Sequence, residues 1–497
     1  MPTCADHPEM PRSDGSGSAR SRSDGSPSDR RPGMLPALAL AVLGYQLNAT
    51  MLSPALPDVM HRLHTTSGLV GLAQTLFFLF AAIGQVTLAR LSDYRGRKPM
   101  MLLGCFLVIA GDIACAAAPD IGVFLVGRVL QGFSAALFTL AFLTLDDTLS
   151  AKGFGRAAGI ITAVNGGFAG VDAVFGGRLA DTVGFRGIFL AGLVVSVAGT
   201  IAVHRTVPAT PPTATGRMDW RGTSLLALGL TGVLIGLAQG ESWGWLSVPT
   251  AVCVLGGIGC LVLFAPAGRG TRDAVIDTGL LVSRRAWPLL ATTVLTLAGA
   301  FGALTLTVPL FTQDPQAGYG MSATHSALLF ATPAQAIGVI GAPIAGILGP
   351  RIGWRRSVVI GSAGSLIAFA VAVPFMTHQW IFAAALAVLG ITYNGLSVTA
   401  LNGLAVLSSP AEQKGALPGL NGACFGIGAS LGTALASALI TVAASGGAHG
   451  ADRYAPALWA SGGLLAAAMV TTVVIRAVPK GAADADGGRV TVPALHG

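Results

Sequence analysis

Apolar runs of about twenty residues recur along this chain, separated by short polar stretches, and no soluble core has room for so many of them. Fourteen are read, at about 34–56, 67–88, 99–118, 121–145, 157–177, 187–204, 222–239, 246–266, 286–312, 323–348, 357–376, 379–405, 415–442 and 455–475. A helix rises 1.5 Å per residue, so about 20 residues cross the hydrocarbon of a bilayer. Composition agrees: 53% of residues are apolar and 10% charged, where globular domains carry about 25% charged residues. The expected fold class is an all-α integral membrane protein with 14 transmembrane helices, and its first partner is the lipid bilayer.

Charge sets the orientation. An even number of spans puts both termini on one side, and lysine and arginine mark the cytoplasmic side. With N and C termini cytoplasmic, 25 of the 30 lysines and arginines fall inside, 4 fall outside, and Arg128 lies within a span. The hairpin at 222–266 fits this layout, with Arg217, Arg221, Arg269 and Arg272 on its inner flanks and Trp243 and Trp245 at its outer tip. The net charge of +8 sits in short clusters between apolar runs, without interleaved aromatics, so no nucleic-acid partner is expected. Residues 1–33, mostly Ser, Gly, Asp, Pro and Arg, are expected to form a disordered cytoplasmic tail.

The most informative turn runs from Ala89 to Leu102, between the second and third spans. There Asp93, Gly96, Arg97 and Lys98 stand at the spacing of a loop signature, with Leu91 in place and Ala89 where the pattern begins with glycine. In this the chain resembles the major facilitator superfamily. In the fourth span, Arg128, Gln131 and Gly132 match the family's arginine-x-x-glutamine-glycine pattern. A weak echo of the turn at 346–356 suggests two similar halves. The layout resembles the fourteen-span drug:proton antiporter branch of that family. This implies residues 34–204 as an N-terminal six-helix bundle, 205–285 as a linker with two extra helices, 286–475 as a C-terminal six-helix bundle, and 476–497 as a cytoplasmic tail.

Charges inside a membrane are expensive and mark function by default. Arg128 stays charged at any relevant pH, and with Asp112 and Asp172 it forms the candidate set for proton coupling. Asp172 is the leading carboxylate, with Arg128 expected to set its affinity. Gly176 and Gly177 match the close of the exporters' fifth-helix motif, but Asp172 and Ala173 replace its glycine-proline pair. Asp112 lies in the third span, which the resemblance places at the periphery. In the first span Asn48 stands where relatives often carry an aspartate. By resemblance, helices one, four, nine and twelve line the cavity. Tyr45, Asn48, Gln131, Thr305, Tyr393 and Asn394 are its candidate polar contacts and Phe138 and Phe301 its apolar walls. Asp93, Gly96, Arg97 and Lys98, with Asp146 and Asp147 after the fourth span, are the candidate cytoplasmic gate. An acid there pairing with Arg97 is expected to latch the outward-open state.

No P-loop, nucleophile elbow or His-Glu-x-x-His pattern occurs, so an enzyme is not expected. His61-x-x-His64 lacks a third ligand, the six cysteines show no Cys-x-x-Cys spacing, and no metal or cofactor is expected. The reading is a secondary transporter in the cell membrane, functional as a monomer. Its small-molecule substrate is an amphipathic drug, antibiotic or metabolite, exported in exchange for protons. The alternative is an importer or uniporter of a small organic solute on the same fold.

Overall fold

The computed structural model describes residues 33–149, 170–210, 219–244, 246–267, 286–408 and 416–475, with isolated positions between them. Its fourteen helices are α1 (Met34–Arg62), α2 (Ser67–Arg95), α3 (Arg97–Ala117), α4 (Ile121–Phe133 and Ala136–Thr148), α5 (Val171–Thr182), α6 (Phe185–Thr206) and α7 (Trp220–Trp243). There follow α8 (Val248–Ala267), α9 (Trp287–Gln313), α10 (residues 323–352), α11 (Trp354–Ala372), α12 (residues 379–407), α13 (Ala416–Ser445) and α14 (Ala455–Val474).

Twelve of the fourteen are long and apolar enough to cross a membrane among the described residues. The two exceptions are the expected fifth and eighth spans. Most of the fifth lies outside the described residues, leaving the 12 residues of α5. The apolar part of α8 is Val248–Phe264, just under the usual span.

Helix starts follow local chemistry. Thr66 accepts from the N–H of Leu69 and Asp120 from that of Val123 (3.0 Å), capping α2 and α4. Three helices carry wide π turns, at Ala303–Thr307 in α9, Ala327–Ala331 in α10 and Gly390–Val398 in α12. The first two have a cause in the sequence. Pro309 and Pro333 follow them, and each ring excludes the carbonyl four residues back, at Thr305 and Leu329, in the middle of the π segment.

Helices α1–α6 pack on one another, as do α9–α14, and the two groups meet where α2 lies along α13 and α5 against α10. At the side away from the two termini, the expected outer side, one buried cluster runs through both groups, from Met51, Leu52 and Phe124 to Leu306, Phe311 and Phe382. At the inner side the clusters are separate, one around Leu88, Met101 and Leu145 and the other around Leu290, Val358 and Leu404. The hydrogen bonds between the groups agree. Gln313 donates to Pro54 O (2.8 Å), Thr332 to Gly170 O (2.8 Å) and Ser430 to Thr75 O (2.8 Å), all at outer or middle depth. The two groups are joined on the side away from the termini and in the middle.

The added pair α7 and α8 is asymmetric. Helix α7 lies over the seam between α2 and α13, its Leu234 buried among Leu72, Leu76 and Leu79 of α2 and Ala434 of α13. Helix α8 packs on α7 and turns Val252, Leu255, Val262 and Leu263 outward, as a lipid-facing helix must.

Candidate functional site

Two glycines bring α3 and α4 together. A Cβ on Gly111 would meet Gln131 Cγ at 2.6 Å and Gly127 O at 2.7 Å, so only glycine permits the approach that sets Asp112 beside Gln131. The Gln131 side-chain amide donates to Asp112 Oδ1 (2.8 Å), and Ser196 of α6 donates its hydroxyl to Oδ2 (3.1 Å). The other end of Gln131 accepts from Arg128 Nη1 (2.7 Å), which also donates to the carbonyl of Asn48 in α1 (3.0 Å). Arg128 Nη2 donates to Gln74 Oε1 of α2 (2.8 Å). Asp112, Arg128, Gln131 and Gln74 are fully buried.

The result is one arginine and one carboxyl, bridged by an amide, tying five helices together in the dry interior. Desolvating two charges is costly, and only partners of this geometry offset it. Helix α3 does show an apolar outer face, yet Asp112 points the other way, into the bundle.

An aromatic chain continues from Arg128. Its guanidinium carbon lies 4.0 Å from the centroid of the Phe77 ring. Tyr45 stacks on Phe77 (5.9 Å, 7°), and Phe78 meets Phe77 edge-on (5.1 Å, 86°). Phe78 in turn meets Phe301 of α9 at 4.8 Å and 85°, crossing between the two groups of helices. Tyr45 and Phe301 are only half-buried, and Ala49 and Ala429 complete the cluster.

Asp172 lies elsewhere. It is buried between α5 and α1, where the Thr50 hydroxyl donates to its Oδ2, while its Oδ1 is buried without a partner among the described residues. Thr50 also lies 3.0 Å from the carbonyl of Gln46. A hydroxyl has one proton, so it serves either acceptor and can receive from the acid when it turns to the carbonyl. The hydrogen bonds of Arg128 go to Asn48, Gln131 and Gln74, and the acid linked to that network is Asp112.

Of the expected cavity residues, the structure gathers Tyr45, Phe301, Asn48 and Gln131 around this core. Thr305 bonds the carbonyl of Phe301 within its own helix (2.7 Å). Tyr393 is buried in the outer cluster, Asn394 packs against Gly338 of α10, and Phe138 meets Phe142 at a tilt (4.9 Å, 58°) in the inner cluster of the first half. Gln74, Ser196, Phe77, Phe78 and Thr50 were not among the expected residues. Gln74, a glutamine inside an apolar run, was the most visible of them.

At the inner turn, Gly96 adopts φ +88°, and a Cβ there would meet Thr210 O at 2.6 Å. Arg97 donates to Asp93 (2.5 Å), Ser92 (2.6 Å) and Asp147 (3.1 Å), and Arg90 pairs with Asp93 (3.2 Å). Lys98 donates to His204 O (2.7 Å). The side chain of Asp146 lies outside those described. The Arg97–Asp147 pair joins two helices of the same half. Among the described residues no three His, Cys, Asp or Glu side chains come together as a metal site would need.

The family model described as Major Facilitator Superfamily matches residues 38–433 and 315–494. A uridine/deoxyuridine transporter of Lactococcus lactis subsp. cremoris (strain MG1363) is 32% identical over 82% of this chain and 87% of its own. The tetracenomycin C resistance and export protein of Streptomyces glaucescens is 28% identical over 81% of this chain and 75% of its own. Among solved structures, the POT family transporter PepTSo aligns with a TM-score of 0.66 over 90% of this chain and 98% of its own. At 14% identity that likeness concerns the fold alone.

Proposed function

Since this chain belongs to the major facilitator superfamily, and is a multi-pass membrane transporter of small molecules and not an enzyme, we propose that it is a proton-coupled exporter. The cargo is a small, amphipathic, weakly charged drug, antibiotic or metabolite, carried across the cell membrane by alternating access. In this reading the chain crosses the bilayer fourteen times with both ends cytoplasmic. Residues 34–204 and 286–475 rock as two bundles joined by 205–285, and one chain suffices.

The observation that carries the reading is the buried network of Asp112, Gln131 and Arg128. A charge pair this dry has no structural need to be ionisable, since apolar residues would pack as well. An acid that must gain and lose a proton explains its retention. Asp172, with the Thr50 hydroxyl able to donate or accept, is the second station. Tyr45, Phe78 and Phe301, which meet between the two groups of helices, favour a cargo with a planar ring. The Arg97–Asp147 pair, with Asp93, Gly96, Lys98 and Asp146, braces the first half's side of the cytoplasmic gate.

Export draws support from the tetracenomycin relative. Uptake of a nucleoside-like solute is the second reading, favoured by the uridine/deoxyuridine relative and by the missing glycine-proline pair before Gly176. Both cargoes share a planar ring with a polar rim. Flux of labelled uridine and of a panel of aromatic antibiotics in inverted and right-side-out vesicles, with and without an uncoupler, separates the two. Export predicts uncoupler-sensitive accumulation in inverted vesicles. Equal flux with and without the uncoupler removes proton coupling.

A further inference from the structure

Two aspartates at the outer surface each cap a helix that is not their own. Asp58, late in α1, accepts from the N–H of Phe185 at the start of α6 (2.7 Å) and pairs with Arg62 (2.9 Å). Both helices belong to the same half, so this cap persists whatever the halves do. Asp181, at the end of α5, reaches instead across the seam to the start of α10. Its Oδ1 accepts from the N–H of Ala323 (3.0 Å), and its Oδ2 from the N–H of Thr324 (2.9 Å) and from the Thr324 hydroxyl.

The free donors and positive end of the helix dipole make this contact favourable for a carboxylate. Yet α10 does not need it in order to start. Ser322 is already its local cap, accepting from the N–H of His325. The extra acceptor therefore serves the joint between helices, since water could satisfy the same donors if the halves parted. The backbones are close enough to make the joint short: a Cβ on Gly177 would meet Ala323 O at 2.8 Å. The other hydrogen bonds between the halves, such as Gln313 to Pro54 O and Thr332 to Gly170 O, join neutral groups. Asp181 is the one charged residue among those described that hydrogen-bonds across the seam.

We propose that Asp181 is the latch of the outer gate, holding α5 to α10 while the pathway faces inward and releasing them in each turnover. The proposal rests on alternating access, but not on the identity of the cargo or on proton coupling.

The test reads conformation directly. Spin labels at Pro119→Cys and Thr377→Cys, exposed outer positions in opposite halves, report their separation by pulsed electron resonance in lipid nanodiscs. Cys4, Cys253 and Cys260 are replaced by serine. Asp181→Ala is expected to raise the population at long distance about tenfold, the scale of a lost hydrogen-bond set to a charged group. Ala323→Pro acts from the other side. Proline is tolerated at the first helical position, the preceding Ser322 already has the extended backbone that it requires (φ −66°, ψ 157°), and one latch donor disappears. It should shift the same population by a few fold, and less again when Asp181 is already alanine. Asp58→Ala, at the cap within one half, should leave the distance unchanged. A long-distance population present in the unsubstituted protein but unmoved by Asp181→Ala and by Ala323→Pro overturns the latch. Its absence from every sample overturns the latch together with alternating access.

Discussion

Helices α1–α6 bury Asp112, Arg128 and Asp172 inside the membrane, whereas α9–α14 bury hydroxyls and amides but no Asp, Glu, Lys or Arg among the described residues. The π turns among the described residues are distributed the opposite way, all three lying in α9, α10 and α12. A network of charge-assisted bonds tolerates one arrangement, because each group displaced is left unpaired in a dry medium. A π turn is locally wide and irregularly bonded, and is where a helix changes shape most cheaply. One half thus holds charge in a fixed frame while the other supplies the deformable wall. The polar knots of the second half are weaker in kind: Thr293 donates to Asn421 (2.7 Å) and Asn421 to Asn402 (3.0 Å), all neutral.

The contrast breaks most visibly at its strongest point. Arg128→Ala should reduce flux in proteoliposomes by at least about 100-fold, and Arg128→Lys nearly as much, because an ammonium cannot span Asn48, Gln131 and Gln74 together. Asn421→Ala should cost less than about tenfold. Equal losses at the two sites would erase the distinction between the halves. Next in size, Asp112→Asn and Asp172→Asn should each lower gradient-driven transport by about 10- to 100-fold while counterflow exchange persists. Whichever variant keeps gradient-driven flux is excluded from coupling.

Hydrogen exchange sharpens the other side of the comparison. Amides in Ala303–Thr307, Ala327–Ala331 and Gly390–Val398 should exchange about tenfold faster than amides at similar depth in α2 and α3. Slower or equal exchange would mean that the π turns are rigid. The smallest effect concerns Asp181. Burial pushes its carboxyl up, but hydrogen bonds from the Thr324 side chain and backbone, Ala323 and Ser322 outweigh this and hold it below the usual carboxylate range. Its contribution is therefore fully present above the value it has with the gate open, and is lost as pH falls through the lower value of the closed gate. Lowering the external pH from 8 to 6 should leave the distance between labels at 119 and 377 unchanged. Opening should set in only below about 3.9, the ordinary value for aspartate.

Much of the frame was legible because lipid imposes length and apolarity on each span, and the inner loops carry the arginines. The turn around Gly96 was legible for a similar reason, since its residues interact within a few positions of one another. Facing was not legible. In a membrane helix the lipid side and the packed side are both apolar, so nothing in the sequence says that Tyr393 turns into the outer cluster or that Asp112 turns inward. Partners far apart in the chain were invisible for another reason. Asp181 meets Thr324 only because Gly177 lets two backbones touch, and a pattern read one segment at a time does not contain that contact. The two proline-linked π turns could have been anticipated from Pro309 and Pro333; the third, at Gly390, has no such marker.

Helix α7 touches both α2 and α13, one from each half, along their shared edge. A body clasped along one edge swings like a door on its jamb, and the free edge travels farthest. That free edge is the pairing of α5 with α10. In the rocking proposed above, a molecule sheltered from lipid on that flank is left unsheltered on the other, and a solute arriving sideways from the bilayer would meet the edge that moves most.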